Sequence, residues 1–206
     1  LVQEILALEL DGQPDLAAAQ SILAEWDLET GIDNRQAALG VLTAIRCIGN
    51  RHTDDDWLME PVTALGEATA ELMFHHGRLD PEWGEINRII RGGEDMPVGG
   101  GPDTLRAIYG AGQSLDPDGR IEAVAGDTYI MLAEWEEGGH LRSRSVHQFG
   151  SATIDESSPH FDDQVELFAT ESWRSIRLDR RDIEMHAERA YCVGGSLSAR
   201  LDCFAR

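Results

Sequence analysis

GDTYIMLAEW (126–135), SRSVHQFGSA (143–152) and SSPHFDDQVELF (157–168) decide how this chain is read. The first two segments predict adjacent strands over Thr128–Trp135 and Leu141–Phe149. Glu136, Glu137, Gly138, Gly139 and His140 between them are hairpin-turn chemistry. Along the first strand Tyr129, Met131, Ala133 and Trp135 alternate with Thr128, Ile130, Leu132 and Glu134. Both rows are mostly apolar, which predicts a strand covered on both sides and a layered α+β core. The third segment predicts a helix capped by Ser157 and Ser158, with Pro159 near its first position. Asp162 and Asp163 suit its positive end, and Phe161, Val165 and Phe168 form its buried stripe.

Upstream, the pattern is helical. Leu1–Leu10 and Leu16–Trp26 carry apolar residues three and four apart. Asp33 and Asn34 are N-cap residues for a helix over Arg35–Ile48 with a stripe of Ala38, Leu39, Leu42 and Ile45. Asp54–Asp56 marks a turn or helix start, and a further helix over Val62–Phe74 ends at Gly77. From Pro81 the character changes. Glu94–Gly110 reads as turn-rich connection with a short helix over Asp103–Tyr109, and Asp116-Pro-Asp-Gly119 as a turn. The layout predicts a mainly helical segment over 1–80, a sheet-containing part over 81–191 and a tail over 192–206.

Composition narrows the partners. The formal net charge is -21 and all 17 cations are arginine. So acidic a chain is a poor binder of nucleic acid, which needs a basic patch. No run of apolar residues is long enough for a membrane span. The opening LVQEILALEL has neither a basic region nor a cleavage site, and reads as the interior of a longer chain. Cys47, Cys192 and Cys203 contain no CxxC pair and indicate neither a disulfide framework nor a zinc knuckle, although a Cys192–Cys203 bridge is open.

Glu134 is the one acid that its strand pattern does not explain. It is either solvated at the strand's end or part of an active-site network. His147, on the second strand, is read as structural unless the hairpin register brings it to Glu134. A catalytic base would also need a nucleophile, and none is recognisable. His160, Asp162 and Asp163 match no strong metal spacing, and capping explains them; a metal-dependent hydrolase built on them is a weaker alternative. His75 and His76 suit a helix C-terminus. Gly99–Asp103 lacks the lysine of a phosphate loop and reads as a tight turn. No cofactor is indicated.

Six segments, in order, resemble the C-terminal part of the penicillin acylase (penicillin amidase) family. They are DNRQAALGVLTA from Asp33, PEWGEINRIIRG from Pro81, VGGGPDTLRAIYG from Val98, and the three opening stretches. WRSIRLDRRDIEMH from Trp173 resembles the run that follows. The likeness implies an N-terminal-nucleophile hydrolase with a four-layer αββα sandwich, made as a self-cleaving precursor and exported to the periplasm or secreted. Its N-terminal serine would attack an amide carbonyl, with its own α-amino group as base. That serine, a neighbouring histidine and the oxyanion asparagine match no position here. The resemblance implies that Glu134 supports that histidine without attacking substrate. The partners would be the remaining α- and β-chain segments and a small acyl amide: an acyl-homoserine lactone, a β-lactam side chain or a lipopeptide. The alternative is a stand-alone, non-catalytic binding module that retains part of the fold.

Overall fold

Four helices make up the described part of residues 1–80 in a computed structural model, which describes residues 1–48, 59–102, 106–110, 114–139 and 141–187. Helix α1 is short, Val2–Leu6. The expected continuation to Leu10 does not form, because the Gln20 amide takes the carbonyls of Ile5 at 2.8 Å and Leu8 at 3.1 Å. Helix α2 is Pro14–Ala24, with proline at its start. Helix α3 is Ala37–Ile48. As expected, Asn34 starts it: Oδ1 accepts from the Gln36 and Ala37 N–H groups at 3.0 and 2.8 Å. Helix α4 is Pro61–His76, and Gly77 ends it at φ 66°, where only glycine is unstrained.

Helix α3 is buried on more than the expected stripe. Ala37, Val41, Thr43, Arg46 and Cys47 are buried beside Ala38, Leu39 and Leu42. Its core partners are Leu23 of α2 and Leu65, Ala68 and Leu72 of α4. The buried Arg46 is paired with Glu71, whose other oxygen accepts from the Leu115 N–H at 2.8 Å.

The region after Pro81 is less loop-like than expected. Glu82 and Glu85 form a capping box for α5, Trp83–Ile86. Strand β1, Asn87–Arg91, then turns back into β2, Glu94–Pro97, with Ile89 opposite Met96 and Arg91 opposite Glu94. The expected connection is thus partly a hairpin. Arg88 pairs with the Asp95 carboxylate and donates to the Asp95 carbonyl at 3.0 Å, so the charges of this strand are its cross-strand bonds. The helix expected over Asp103–Tyr109 is corrected at residues 106–109, while Asp103 itself lies outside the described residues. Ala107 bridges to Gly101, and Ile108–Tyr109 is strand β3, antiparallel to β5, Ala125–Gly126. Strand β4, Ile121–Glu122, runs parallel to β1. The turn before it forms as expected, with the Gly119 N–H on the Asp116 carbonyl at 2.9 Å.

The chain divides into two units. The first is Leu1–Ile130 with Val146–Trp173, and the second is Met131–Ser145 with the described residues from Arg174 on. Strand β6, Tyr129–Trp135, starts in the first unit and ends in the second, and β7, Leu141–His147, starts in the second and ends in the first; the two form the expected hairpin. Strand β8, Arg174–Ser175, pairs antiparallel with β7, so β6 is an edge strand of the order β6-β7-β8. Helix α7, Arg180–His186, is capped by Asp179.

Two expectations fail here. Strand β6 is not covered on both sides: Tyr129, Met131, Leu132 and Trp135 are 49, 52, 44 and 70% exposed. The helix expected from Ser157 starts only at Val165, as α6, Val165–Ala169. Arg91 holds the intervening loop: it lies between the Phe149 and Phe161 rings, at 4.6 and 3.9 Å, and donates to the Phe161 carbonyl at 3.0 Å. Phe161, Val165 and Phe168 are nevertheless buried as expected, together with Gln164. Asp54–Asp56, Cys192 and Cys203 lie outside the described residues. Among the described residues no helix is long and apolar enough to cross a membrane.

Candidate functional site

Glu134 follows from the strand it sits on. In the second unit it lines a cleft of about 330 Å³ with Leu132, Arg142, Arg144, Asp179 and Asp182. Ser143 Oγ donates to the Leu132 carbonyl at 3.1 Å and joins β7 to β6 at this level. The acids of α7 are already engaged: Asp179 caps the helix, and Asp182 takes Arg177 at 2.8 Å and His186 at 3.0 Å. Arg142 donates to Glu136 at 2.7 Å. Glu136, and behind it Glu134, raise Arg142 above the ordinary arginine pKa and keep it charged. Glu134 itself is exposed and has no hydrogen bond or ion pair to a described residue. Chemically it is a carboxylate on the lining of a cleft, able to accept a proton or a hydrogen bond, and it makes no hydrogen bond to Ser143 or Ser175 of the same lining.

The structure gives His147 other company. Its ring meets the Tyr129 ring at 4.9 Å, and its N–H donates to Gln164 Oε1 at 3.0 Å. His147 belongs to the first unit and Glu134 to the second. His160 Nδ1 is 3.1 Å from Asp163, on an exposed turn where the Ser158 hydroxyl accepts the His160 N–H. Asp162 accepts from the Gly93 N–H at 3.4 Å and ties this turn to the β1–β2 hairpin. His76 Nε2 bonds the Gly119 carbonyl at 2.9 Å, and His75 stacks edge-on against Phe74. Among the described residues no three His, Cys, Asp or Glu side chains converge as a metal site. Cys47 is fully buried, and burial pushes its thiol up to about 11. A neutral thiol of that kind is a packing group and a poor nucleophile.

Three residues carry more of this region than their sequence context suggests. Gln164 clamps β7, accepting from His147 and donating its own N–H to the Phe149 carbonyl at 2.8 Å. Arg91 fixes a loop some 60 to 70 positions away. Gln148 is 1% exposed, and neither polar atom of its amide has a hydrogen-bond partner among the described residues. Local pattern carries no signal for the first two, because their partners are distant. For the third, a buried glutamine just past the end of β7, beside Phe149, the sequence offers only its polar side chain in an expected strand.

Comparison with known proteins places these features in a wider frame. The sequence model described as penicillin amidase matches residues 1–185. The acyl-homoserine lactone acylase PvdQ of Pseudomonas fluorescens Pf-5 is 38% identical over 105 residues, covering 50% of this chain and 13% of that protein. PvdQ of Pseudomonas fluorescens Pf0-1 is 30% identical over 131 residues, 61% of this chain and 16% of that protein. PvdQ of Pseudomonas savastanoi pv. phaseolicola is 31% identical over 118 residues, 56% of this chain and 14% of that protein. The chain therefore spans about one-sixth or less of the length of these curated relatives.

Proposed function

The chain belongs to the penicillin amidase family, and from that membership we propose that it forms the late part of an acylase β-chain that hydrolyses a linear amide. The nucleophile is an N-terminal serine outside these residues. Its Oγ adds to the amide carbonyl as its α-amino group takes the hydroxyl proton. The amine leaves with that proton and an acyl-enzyme remains, which water then cleaves to the free acid. Acyl-homoserine lactones head the substrate classes, since the relatives above carry that name. A β-lactam side chain and a lipopeptide are the other two. The proposed location is the periplasm.

Within this reading β6 is an inner strand of a four-layer αββα sandwich, and the sheet-containing part spans 81–191. Among the described residues, strand β6 has an unpaired edge and apolar side chains exposed on both faces, the two surfaces that further strands and a second layer would cover. Glu134 is the proposed positioning residue: it accepts from an imidazole supplied by the rest of the precursor and stabilises its charged form. The observation that carries this role is that Glu134, on a largely apolar strand, has neither a hydrogen bond nor an ion pair among the described residues.

The test uses the full-length protein. Glu134→Gln is expected to lower kcat by roughly ten- to a thousandfold with a smaller change in KM. The acidic limb of the pH–rate profile should shift with it. An unchanged kcat in a normally processed variant returns Glu134 to a solvated strand end. Absence of amide hydrolysis by the full-length wild type, across all three substrate classes, favours a binding module instead.

A further inference from the structure

The glycine run Gly99–Gly101 has no phosphate-loop chemistry, yet Gly99 and Gly100 floor a cleft of the first unit. That cleft, of about 610 Å³, lies between the loop 28–33, Gly99 and Gly100, Arg106, and Ala169–Glu171. The floor is kept bare by geometry. A Cβ at Gly99 would sit 2.9 Å from the Thr30 carbonyl oxygen, and one at Gly100, φ 101°, 2.2 Å from the Arg106 carbonyl oxygen. The Gly100 N–H already donates to Thr30 at 2.9 Å, so the floor offers an anion no donor there.

Among the described residues, the non-glycine residues with left-handed backbone are Leu28, φ 68°, and Glu171, φ 56°. Both line this cleft, one from each of two segments far apart in sequence. Such backbone persists where the surroundings enforce it, and it gathers at ligand sites.

Arg106 is the one cation among the described lining residues. Its side chain is 18% exposed, it donates to the Phe168 carbonyl at 2.8 Å, and it lies 5.4 Å from the Phe168 ring centre. Among the described residues it is paired with Glu171 at 3.2 Å, whose side chain is 69% exposed. A mostly buried guanidinium is thus closed off by a mostly solvated acid at the cleft's mouth. We propose that this cleft binds a small monocarboxylate with an apolar tail, its carboxylate taking the place of Glu171 on Arg106.

Exchange of one carboxylate for another leaves the buried cation paired throughout, and guanidinium geometry suits a carboxylate. Leu28 and Ile32, both exposed on the lining, and Ala169 offer apolar surface to the tail. Glu29 and Asp33 on the same wall repel a second negative charge and so select a monoanion.

The experiment is calorimetric titration of the full-length protein with octanoate, octanol and octylamine, in wild type, Glu171→Gln and Arg106→Lys. Octanoate should bind, and octanol and octylamine should bind at least about tenfold more weakly. Glu171→Gln removes the internal competitor and should tighten octanoate by about tenfold if the pair is closed about nine-tenths of the time. Arg106→Lys should weaken it through loss of the planar fork. Octanoate held elsewhere in the protein would respond to neither substitution. Equal octanoate affinity in wild type and Glu171→Gln, or octanol binding as tightly as octanoate, overturns the proposal. The Glu171 arm decides the matter even where the Arg106 variant fails to fold.

Discussion

Helix α3 and strand β6 are both apolar in sequence, and they differ in what covers them. Leu39 and Leu42 of α3 are fully buried against α2 and α4, and the chain extends that burial to a charged pair, Arg46 with Glu71. Trp135 and Met131 of β6 are more than half exposed, and the acid among them, Glu134, has no paired cation among the described residues. An apolar pattern records a demand for cover. Whether the cover lies in the same residues is a separate, non-local fact. The two acids make the contrast sharpest. Glu71 is tied to Arg46 and Leu115, whereas Glu134 looks outward from a strand edge.

The largest test of that contrast is Glu71→Ala. It leaves the Arg46 guanidinium buried, with Glu67 at 3.6 Å as its remaining acid. Removing one partner of a buried pair costs about 3–5 kcal/mol. Urea unfolding should show that loss, and Glu71→Gln, which keeps an acceptor for the Leu115 N–H, should recover part of it. A loss below about 1 kcal/mol, the value of a surface pair, would break the contrast.

Cys47 probes the same closed core by pH. Burial raises its thiol from an ordinary 9.0 to about 11. A pKa raised on folding means that the stabilisation is fully present below about 9 and is lost as pH rises through about 11. Cys47→Ala should flatten the stability profile across that window, and in native wild-type protein a thiol reagent at pH 8 should label Cys47 only as fast as the first unit opens. Rapid labelling would mean that the α3 core is no better closed than β6.

A smaller effect is expected at the helix start. Asn34→Ala removes the acceptor for two N–H groups and should cost about 1 kcal/mol. This cap was legible in the sequence, as were Gly77, the Asp116–Gly119 turn and the β6–β7 hairpin, because each is decided within a few residues. The β1–β2 hairpin was hidden by its own charges: Glu94 and Asp95 read as loop until Arg88 is seen across the ladder. The helix expected from Ser157 fails for a reason no local pattern carries, since Arg91 pins the loop from another hairpin. Of the candidate site, Glu134 stood out in the sequence as an acid on an apolar strand. The Arg106–Glu171 pair did not, because its members are 65 positions apart and each alone is an ordinary surface-type residue.

The smallest expected effect carries the comparison furthest. Trp135 is 70% exposed in this chain, so Trp135→Ser should change the stability of the 206-residue chain by no more than about 0.5 kcal/mol. In the full-length precursor the same ring, if covered by a second layer, is a core residue, and its loss should cost about 3–5 kcal/mol. Leu42→Ala is the control, because its cover lies within this chain: it should cost about 2–5 kcal/mol in either setting. The informative quantity is therefore the difference between settings for each substitution, read from paired unfolding curves. A large difference at Trp135 with none at Leu42 identifies β6 as a strand whose other half is supplied by the precursor. Equal and small effects at Trp135 in both settings would make β6 a solvated edge, and would remove the layered environment in which Glu134 could hold an imidazole.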